Sequence, residues 1–125
     1  MSKEKPIRFQ YIKNLEFTKN WNQKLFNTYF TTIRLKNDKY IMGADYSVII
    51  KNNDLEHFYG IARIISIKEV AINELTDEQT YLDSALAKSE FKKLIQELYN
   101  ISDSNISTIK LQLIMFKYQE TKQYD

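Results

Sequence analysis

A long apolar stretch from about His57 to Ile72 most constrains how this chain can fold. Its central residues, Gly60-Ile61-Ala62-Arg63-Ile64-Ile65-Ser66-Ile67, place β-branched or apolar side chains on both faces of an extended strand. The parity of these apolar residues slips at Ile64-Ile65, which predicts a β-bulge or a bend at the corner of a barrel. The sequence therefore predicts one long, bent strand.

Shorter strands are predicted on either side of this one. We expect a first strand at 7–11 and two more near 29–35 and 45–51. A last, half-buried strand is predicted where Ile109, Leu111, Leu113 and Met115 alternate with Lys110 and Gln112. Five or six strands in a small domain avoid exposed edges when they curl into a barrel.

Three segments have the pattern of helices. Loose helical spacing predicts a short helix from Leu15 to Phe26. Thr76-Asp77-Glu78-Gln79 is a capping box that opens a helix reaching about Ser84. A further helix near 88–99 carries one apolar stripe, made of Phe91, Leu94, Ile95 and Leu98. The predicted fold class is α+β, a small β-barrel with two to three flanking helices.

Composition sets the class of protein. A chain of 125 residues with 43% hydrophobic content is expected to form a single domain over 1–125. It has no cysteine, which excludes thiol catalysis, disulfides and thiolate metal sites, and His57 is its one histidine. We find no apolar run of membrane-spanning length and no signal peptide. We therefore expect a cytoplasmic protein with no metal, no cofactor and no membrane partner.

The charge is unevenly distributed along the chain. Residues 1–68 carry 12 Lys and Arg against 6 Asp and Glu, a net charge of +6. Residues 69–125 carry 6 against 10, a net charge of −4. A positive face favours an anionic partner, so RNA or a nucleotide is the expected ligand. The sequence does not indicate the oligomeric state.

The candidate site lies in the predicted strand 29–35. Arg34 is one of only three arginines, and in an extended chain it shares a face with Thr32, while Thr31 and Ile33 point the other way. A hydroxyl beside a planar guanidinium suits an oxyanion, a phosphate or the polar edge of a base. The alternative is a structural ion pair, for which Asp83 is the candidate partner.

Eight short pieces in order resemble the ASCH domain, a branch of the PUA-like β-barrels, over roughly residues 26–118. They are Phe30-Thr31-Thr32-Ile33-Arg34, Lys39-Tyr40, Gly43, Gly60-Ile61-Ala62-Arg63-Ile64, Leu75-Thr76-Asp77, Leu82-Asp83, Glu90-Phe91 and Leu98-Tyr99. Relatives with this form are often small stand-alone proteins of phages and mobile elements. The resemblance implies a barrel with a cleft for RNA or a modified nucleobase, lined by Tyr29, Thr31, Thr32, Arg34 and Asp83.

The same resemblance raises an enzymatic alternative. The family signature Gly-x-Lys-x-x-Thr-x-Arg places its threonine at Thr32, but Tyr29 stands where the lysine is expected and Asn27 where the glycine is expected. Some ASCH proteins deacetylate N4-acetylcytidine with that lysine, that threonine and a downstream glutamate, for which Asp83 is the nearest counterpart. A threonine nucleophile needs a neighbouring base, and a phenol with a pKa near ~10 is a poor substitute for a desolvated lysine.

Three hypotheses follow. The first is a non-catalytic module that binds RNA or a nucleotide through Thr32, Arg34 and Asp83. The second is a small amidohydrolase acting on a modified nucleoside, with Thr32 as nucleophile and Asp83 assisting. The third is a phage-encoded scaffold for protein interaction.

Overall fold

A computed structural model describes residues 12–121 of the chain. The strands are β1 (Asn14–Phe17), β2 (Tyr29–Leu35), β3 (Asp45–Asn52), β4 (Leu55–Ala71) and β5 (Lys110–Thr121). The α-helices are α1 (Asp77–Ser84) and α2 (Lys88–Tyr99), and 3-10 helices cover Trp21–Phe26, Ile72–Glu74 and Ile106–Thr108. The strand predicted at 7–11 lies outside the described residues.

The five strands form one mixed sheet in the order β1-β3-β4-β5-β2. β1 runs parallel to β3, and the other neighbouring pairs are antiparallel. The two edge strands approach each other, because the Arg34 side chain on β2 donates to the Glu16 carbonyl on β1 at 2.7 Å. The rings of Phe17 and Phe30 also lie 6.3 Å apart across this gap. The sheet is therefore a curled half-barrel, which confirms the predicted α+β barrel-like fold.

The long central strand bends as its sequence predicts. β4 pairs with both β3 and β5, and its register with β5 shifts between Ile64 and Ser66. A second shift, in the register of β4 with β3, lies next to Val48. Its partner Gly60 has a φ of 151°, which residues with a Cβ rarely adopt. These irregularities interrupt the ladder and let the strand curve around the core.

The sheet has an apolar cluster on each face. The first cluster is filled mainly by aromatic and β-branched side chains, among them Phe30, Tyr46, Ile64, Ile114, Phe116 and Tyr118. The second lies under α2 and includes Ile33, Val70, Phe91, Ile95 and Leu111. Consecutive residues of a strand point to opposite faces, so a strand between the two clusters contributes to both.

This arrangement explains why the alternation predicted for β5 is only partly right. Leu111 is buried as predicted, but Gln112 is buried too, where it accepts a hydrogen bond from the Asn37 amide at 3.1 Å. Further along the strand Phe116 is buried and Met115 is partly exposed, the reverse of the predicted parity. The strand passes from one apolar cluster to the other, so no single face is buried throughout.

The helix predicted from Leu15 to Phe26 is wrong. Leu15 and Phe17 are buried as alternate residues of β1, which pairs with β3 from Ser47 onward. The following 3-10 helix contains two residues, Asn22 and Gln23, with φ near 55° and 58°, which no α-helix accommodates. Strand pairing with a distant segment decides the local conformation here.

The other two helices form where predicted. At the start of α1 the Thr76 hydroxyl accepts from the Gln79 amide at 3.1 Å, and the Gln79 side chain accepts from the Thr76 amide, completing the capping box. α2 buries Phe91 and Ile95 and leaves Leu98 exposed at its end. The longest described helix, α2, has 12 residues, and none of the described helices combines the length and apolar character needed to cross a bilayer.

Candidate functional site

A cleft of about 190 Å³ runs along the free edge of β2. We call it the β2-edge cleft. One wall is mainly polar and the opposite wall is aliphatic and aromatic, contributed by α2. The first wall includes Phe17, Trp21, Lys24, Thr32, Arg34 and Asp83, and the second includes Phe91, Leu94, Ile95 and Leu98.

Thr32 and Arg34 lie side by side in this cleft, as the two-residue spacing predicts. The Arg34 Nε donates to the Thr32 Oγ1 at 3.1 Å. The intervening Ile33 points to the opposite face and packs in the second apolar cluster. The hydroxyl and the guanidinium are therefore presented together at the edge of the sheet.

Uncharged groups hold the Arg34 side chain in place. Its Nη1 donates to the Tyr40 hydroxyl at 3.3 Å and its Nη2 to the Glu16 carbonyl at 2.7 Å. The guanidinium also stacks on the Phe17 ring, with 4.6 Å from its central carbon to the ring centroid. Within residues 12–119 no carboxylate lies within 4.0 Å of this guanidinium. Its positive charge is thus fixed in position and not paired within this part of the chain.

The alternative of an Arg34–Asp83 ion pair is wrong, because Asp83 pairs with another cation. The Lys24 Nζ donates to the Asp83 Oδ1 at 2.7 Å, and both side chains are buried. The same oxygen accepts the Ile33 amide at 3.1 Å, so the carboxylate also satisfies an outward-facing N–H of the edge strand. The second carboxylate oxygen forms no hydrogen bond with any group in the described chain and remains available as an acceptor.

Burial shifts the ionisation of both members of this pair toward the neutral form. Burial lowers the pKa of Lys24, against the attraction and hydrogen bond of Asp83, and the positive charge of Arg34 lowers it further. Burial raises the pKa of Asp83, against the charge and hydrogen bond of Lys24, the Ile33 amide and the charge of Arg34. A proton therefore moves from Lys24 to Asp83 at a smaller cost than it would in water.

A left-handed turn brings Lys24 into the cleft. The Asn22 side chain donates to the Tyr81 carbonyl of α1 at 3.0 Å, which fixes the turn against that helix. The Leu25 carbonyl accepts from the buried Tyr118 hydroxyl at 2.9 Å, which fixes its other end against β5. Lys24 lies between these two anchors and points inward.

The structure brings together three of the five residues expected to bind a ligand. Thr32, Arg34 and Asp83 line the cleft, whereas Tyr29 and Thr31 are not part of its lining. The Tyr29 ring is 51% exposed and lies 5.7 Å from the Lys117 ammonium. No three His, Asp or Glu side chains in the part of the chain that the structure describes gather as a metal site would require.

Sequence reasoning missed three further cleft residues, Phe17, Trp21 and Lys24. Trp21 is half-buried: it packs against the first apolar cluster, lines the cleft and lies 3.9 Å from the Lys19 ammonium. Lys24 meets its partner across 59 positions of sequence through a left-handed turn, so no spacing rule indicated it.

The fold is similar to that of protein EF3133 from Enterococcus faecalis V583, whose crystal structure carries the description "family-model DUF984". The match has a TM-score of 0.62 and covers 93% of this chain and 86% of that chain, at 9% sequence identity. No family model matches the sequence, and no curated protein matches it significantly. At this identity the likeness establishes the shared fold.

Proposed function

We propose that this protein is an ASCH-type module that binds a nucleotide or an unpaired RNA base in the β2-edge cleft. The main support is the state of the Arg34 guanidinium. Three uncharged acceptors hold it at the cleft, and no carboxylate in residues 12–119 pairs with it. Such a preorganised cation binds a phosphate or a carbonyl oxygen without first giving up an ion pair.

One wall of the cleft suits the polar edge of a base and the other suits the flat face of its ring. The Thr32 hydroxyl and the free Asp83 oxygen supply a donor and an acceptor for a polar edge. The aliphatic side chains of α2, chiefly Leu94 and Leu98, offer a surface for the face of a ring. Small-molecule clefts typically combine such an apolar wall with a few fixed polar groups.

The charge distribution supports an anionic ligand. Two cationic residues, Lys24 and Arg34, line the cleft together with two acidic ones, the exposed Glu16 and the buried Asp83. Asp83 pairs with Lys24, which leaves Arg34 as the cation for an anionic ligand. The part of the chain before residue 69, which contains both cations, has a net charge of +6. A positive surface around such a cleft raises the rate of encounter with nucleotides and RNA.

Replacing Arg34 with glutamine is expected to weaken nucleotide binding at least about tenfold, because a hydrogen bond to a charged group contributes about 1.5–3 kcal/mol. Trp21 is the one tryptophan of the chain and lines the cleft, so its fluorescence reports binding directly. Titration with cytidine monophosphate, and separately with a short single-stranded RNA, measures the effect. Binding should weaken as salt increases.

Arg63→Gln is the matched control. Arg63 is exposed and pairs with Asp45 on the outer surface at 2.9 Å, away from the cleft. Its variant is expected to bind as the wild type does. Failure of every nucleotide and RNA to bind at low salt, with the protein folded, would reject the proposal.

The Lys24 position favours amide hydrolysis as a second candidate. The family's lysine is missing at Tyr29, but Lys24 reaches the same cleft as Thr32 and Asp83 from a different segment. A lysine whose pKa is lowered by burial is able to take a proton from a threonine hydroxyl. This arrangement supports the proposal that Thr32 attacks the acetyl carbonyl of a modified nucleoside such as N4-acetylcytidine.

Thr32→Val, which removes the hydroxyl and keeps the shape, is expected to reduce hydrolysis of N4-acetylcytidine to the uncatalysed background. Chromatographic separation of substrate and cytidine measures the rate. Far-UV circular dichroism controls for folding, because Thr32 is buried in β2. Equal rates in the variant and the wild type would eliminate Thr32 as the nucleophile.

A further inference from the structure

Lys24 differs from the other lysines of the described chain in being buried. It is 3% exposed, yet it lines a cleft instead of a sealed interior. Exposed lysines carry a fully hydrated ammonium and react slowly, whereas a lysine that is desolvated or lies near another cation is an activated nucleophile. Lys24 meets both conditions, through its burial and through Arg34.

We propose that Lys24 is a carbonyl-reactive nucleophile that forms an imine with a small oxo acid bound in the β2-edge cleft. This goes beyond the binding of a nucleotide, since it assigns covalent chemistry and a second class of ligand to the cleft. Its geometric basis is a cluster on one wall: a buried amine, a carboxylate 2.7 Å away and a guanidinium that none of the described carboxylates pairs with.

Each group of the cluster has a part in the reaction. Arg34, which has no carboxylate within 4.0 Å in residues 12–119, holds the carboxylate of the oxo acid. Asp83 accepts and returns protons at the reacting centre. Phe91 and Ile95 add apolar surface to the lining, and the cleft of about 190 Å³ admits a molecule of this size.

The step balances without any other reactant. Asp83 takes one proton from the Lys24 ammonium, and the free amine attacks the carbonyl carbon, forming a C–N bond as the carbonyl π bond opens. The oxygen receives the proton from Asp83, and a second proton passes from nitrogen to oxygen through the same carboxylate. Water then leaves. Two of the three ammonium hydrogens depart in that water, and the third stays on the iminium nitrogen beside the Asp83 carboxylate.

Trapping with glyoxylate and sodium cyanoborohydride at neutral pH tests the proposal. Reduction converts the imine to a stable carboxymethyl amine, which peptide mass mapping locates. Burial lowers the pKa of Lys24 and so raises its fraction of neutral amine, and Lys24 is therefore expected to be labelled faster than the exposed Lys36 or Lys110. Labelling spread evenly over the exposed lysines would overturn the proposal.

Three variants and one comparison of reagents sharpen the test. Lys24→Arg should lose the fast label, whereas Lys36→Arg, at an exposed ion pair with Glu69, should keep it. Arg34→Gln keeps the Lys24 amine, so it remains informative if Lys24→Arg fails to fold. It should slow labelling by glyoxylate more than labelling by glycolaldehyde, which has no carboxylate and responds only to the loss of the Arg34 charge beside Lys24. Equal slowing of both reagents would contradict the assigned role of Arg34.

Adding a nucleotide separates this proposal from the proposed binding function. If cytidine monophosphate binds and protects Lys24 from labelling, both proposals are supported. Fast labelling, with no binding of any nucleotide or RNA at low salt, supports the imine and rejects the binding proposal. Nucleotide binding with no fast labelling rejects the imine alone.

Discussion

Asp83→Ala is expected to lower the free energy of unfolding by about 3–5 kcal/mol, because it leaves the ammonium of Lys24 buried without its partner. The variant also removes the acceptor for the Ile33 amide of the edge strand. Chemical denaturation followed by Trp21 fluorescence and by far-UV circular dichroism measures the change. The expected result is a lower transition midpoint with an unchanged slope.

The surface ion pairs of the same protein provide the control. Glu69 lies between Lys36 and Lys110, at 3.3 and 3.1 Å, but all three side chains are substantially exposed to water. Solvent screens such contacts, so Glu69→Ala should change the stability little. A similar loss in both variants would mean that the Lys24–Asp83 pair is not effectively buried.

Replacing both partners distinguishes an unpaired charge from a lost attraction. In Lys24→Met/Asp83→Leu no charge is left buried, and apolar pairs of similar volume are often as stable as the ion pair they replace. The double variant is therefore expected to recover most of the stability that Asp83→Ala loses. It should not bind a ligand that depends on Asp83. Recovery of stability without binding would indicate that the pair is retained for function.

The position of the cleft follows from the topology of the sheet. A half-barrel leaves two edge strands, and the outward N–H groups of β2 need acceptors. Asp83 supplies one for Ile33, and the Tyr99 hydroxyl lies 3.5 Å from the Leu35 amide. Burying a carboxylate at such an edge requires a cation beside it, which Lys24 provides. The polar groups that complete the edge are thus also the groups that line the cleft.

Local patterns made much of this fold predictable. The alternation in 29–35 and the capping box at Thr76 depend on residues two or three positions apart, so β2 and α1 form as expected. The Thr32–Arg34 pair was predictable for the same reason, because strand geometry fixes which face each residue occupies. The bulge in β4 was predictable because the alternation of apolar residues along the strand is interrupted at Ile64-Ile65.

Features that depend on distant contacts were not predictable. β1 forms because Asn14 pairs with Ser47 of β3, and spacing within the segment suggested a helix instead. Lys24 reaches Asp83 only through the left-handed turn at Asn22. Such turns are usually predicted from a glycine, and this one contains none. Residues that meet through the tertiary fold carry no mutual signal in a single sequence.

The parity of β5 is open to a direct test with two adjacent residues. Phe116→Ala is expected to lower the free energy of unfolding by about 3–5 kcal/mol, because it removes a fully buried ring and leaves a cavity. That ring stacks on Phe30 at 5.2 Å and meets Tyr46 edge-on at 5.8 Å. Met115, 37% exposed on the other face, is the control, and Met115→Ala should have a much smaller effect.

The two variants also test how the core supports the cleft. Phe30 lies in β2, two residues before Thr32, so the loss of its stacking partner should loosen the strand that carries Thr32 and Arg34. Ligand binding by Phe116→Ala, measured below its unfolding transition, is therefore expected to weaken, while Met115→Ala binds normally. A larger loss of stability in Met115→Ala than in Phe116→Ala would instead support the pattern predicted from the sequence, in which Ile109, Leu111, Leu113 and Met115 are all buried on one face. It would place the first apolar cluster on the wrong face of β5, because a shift of one residue turns every side chain of a strand to its other face.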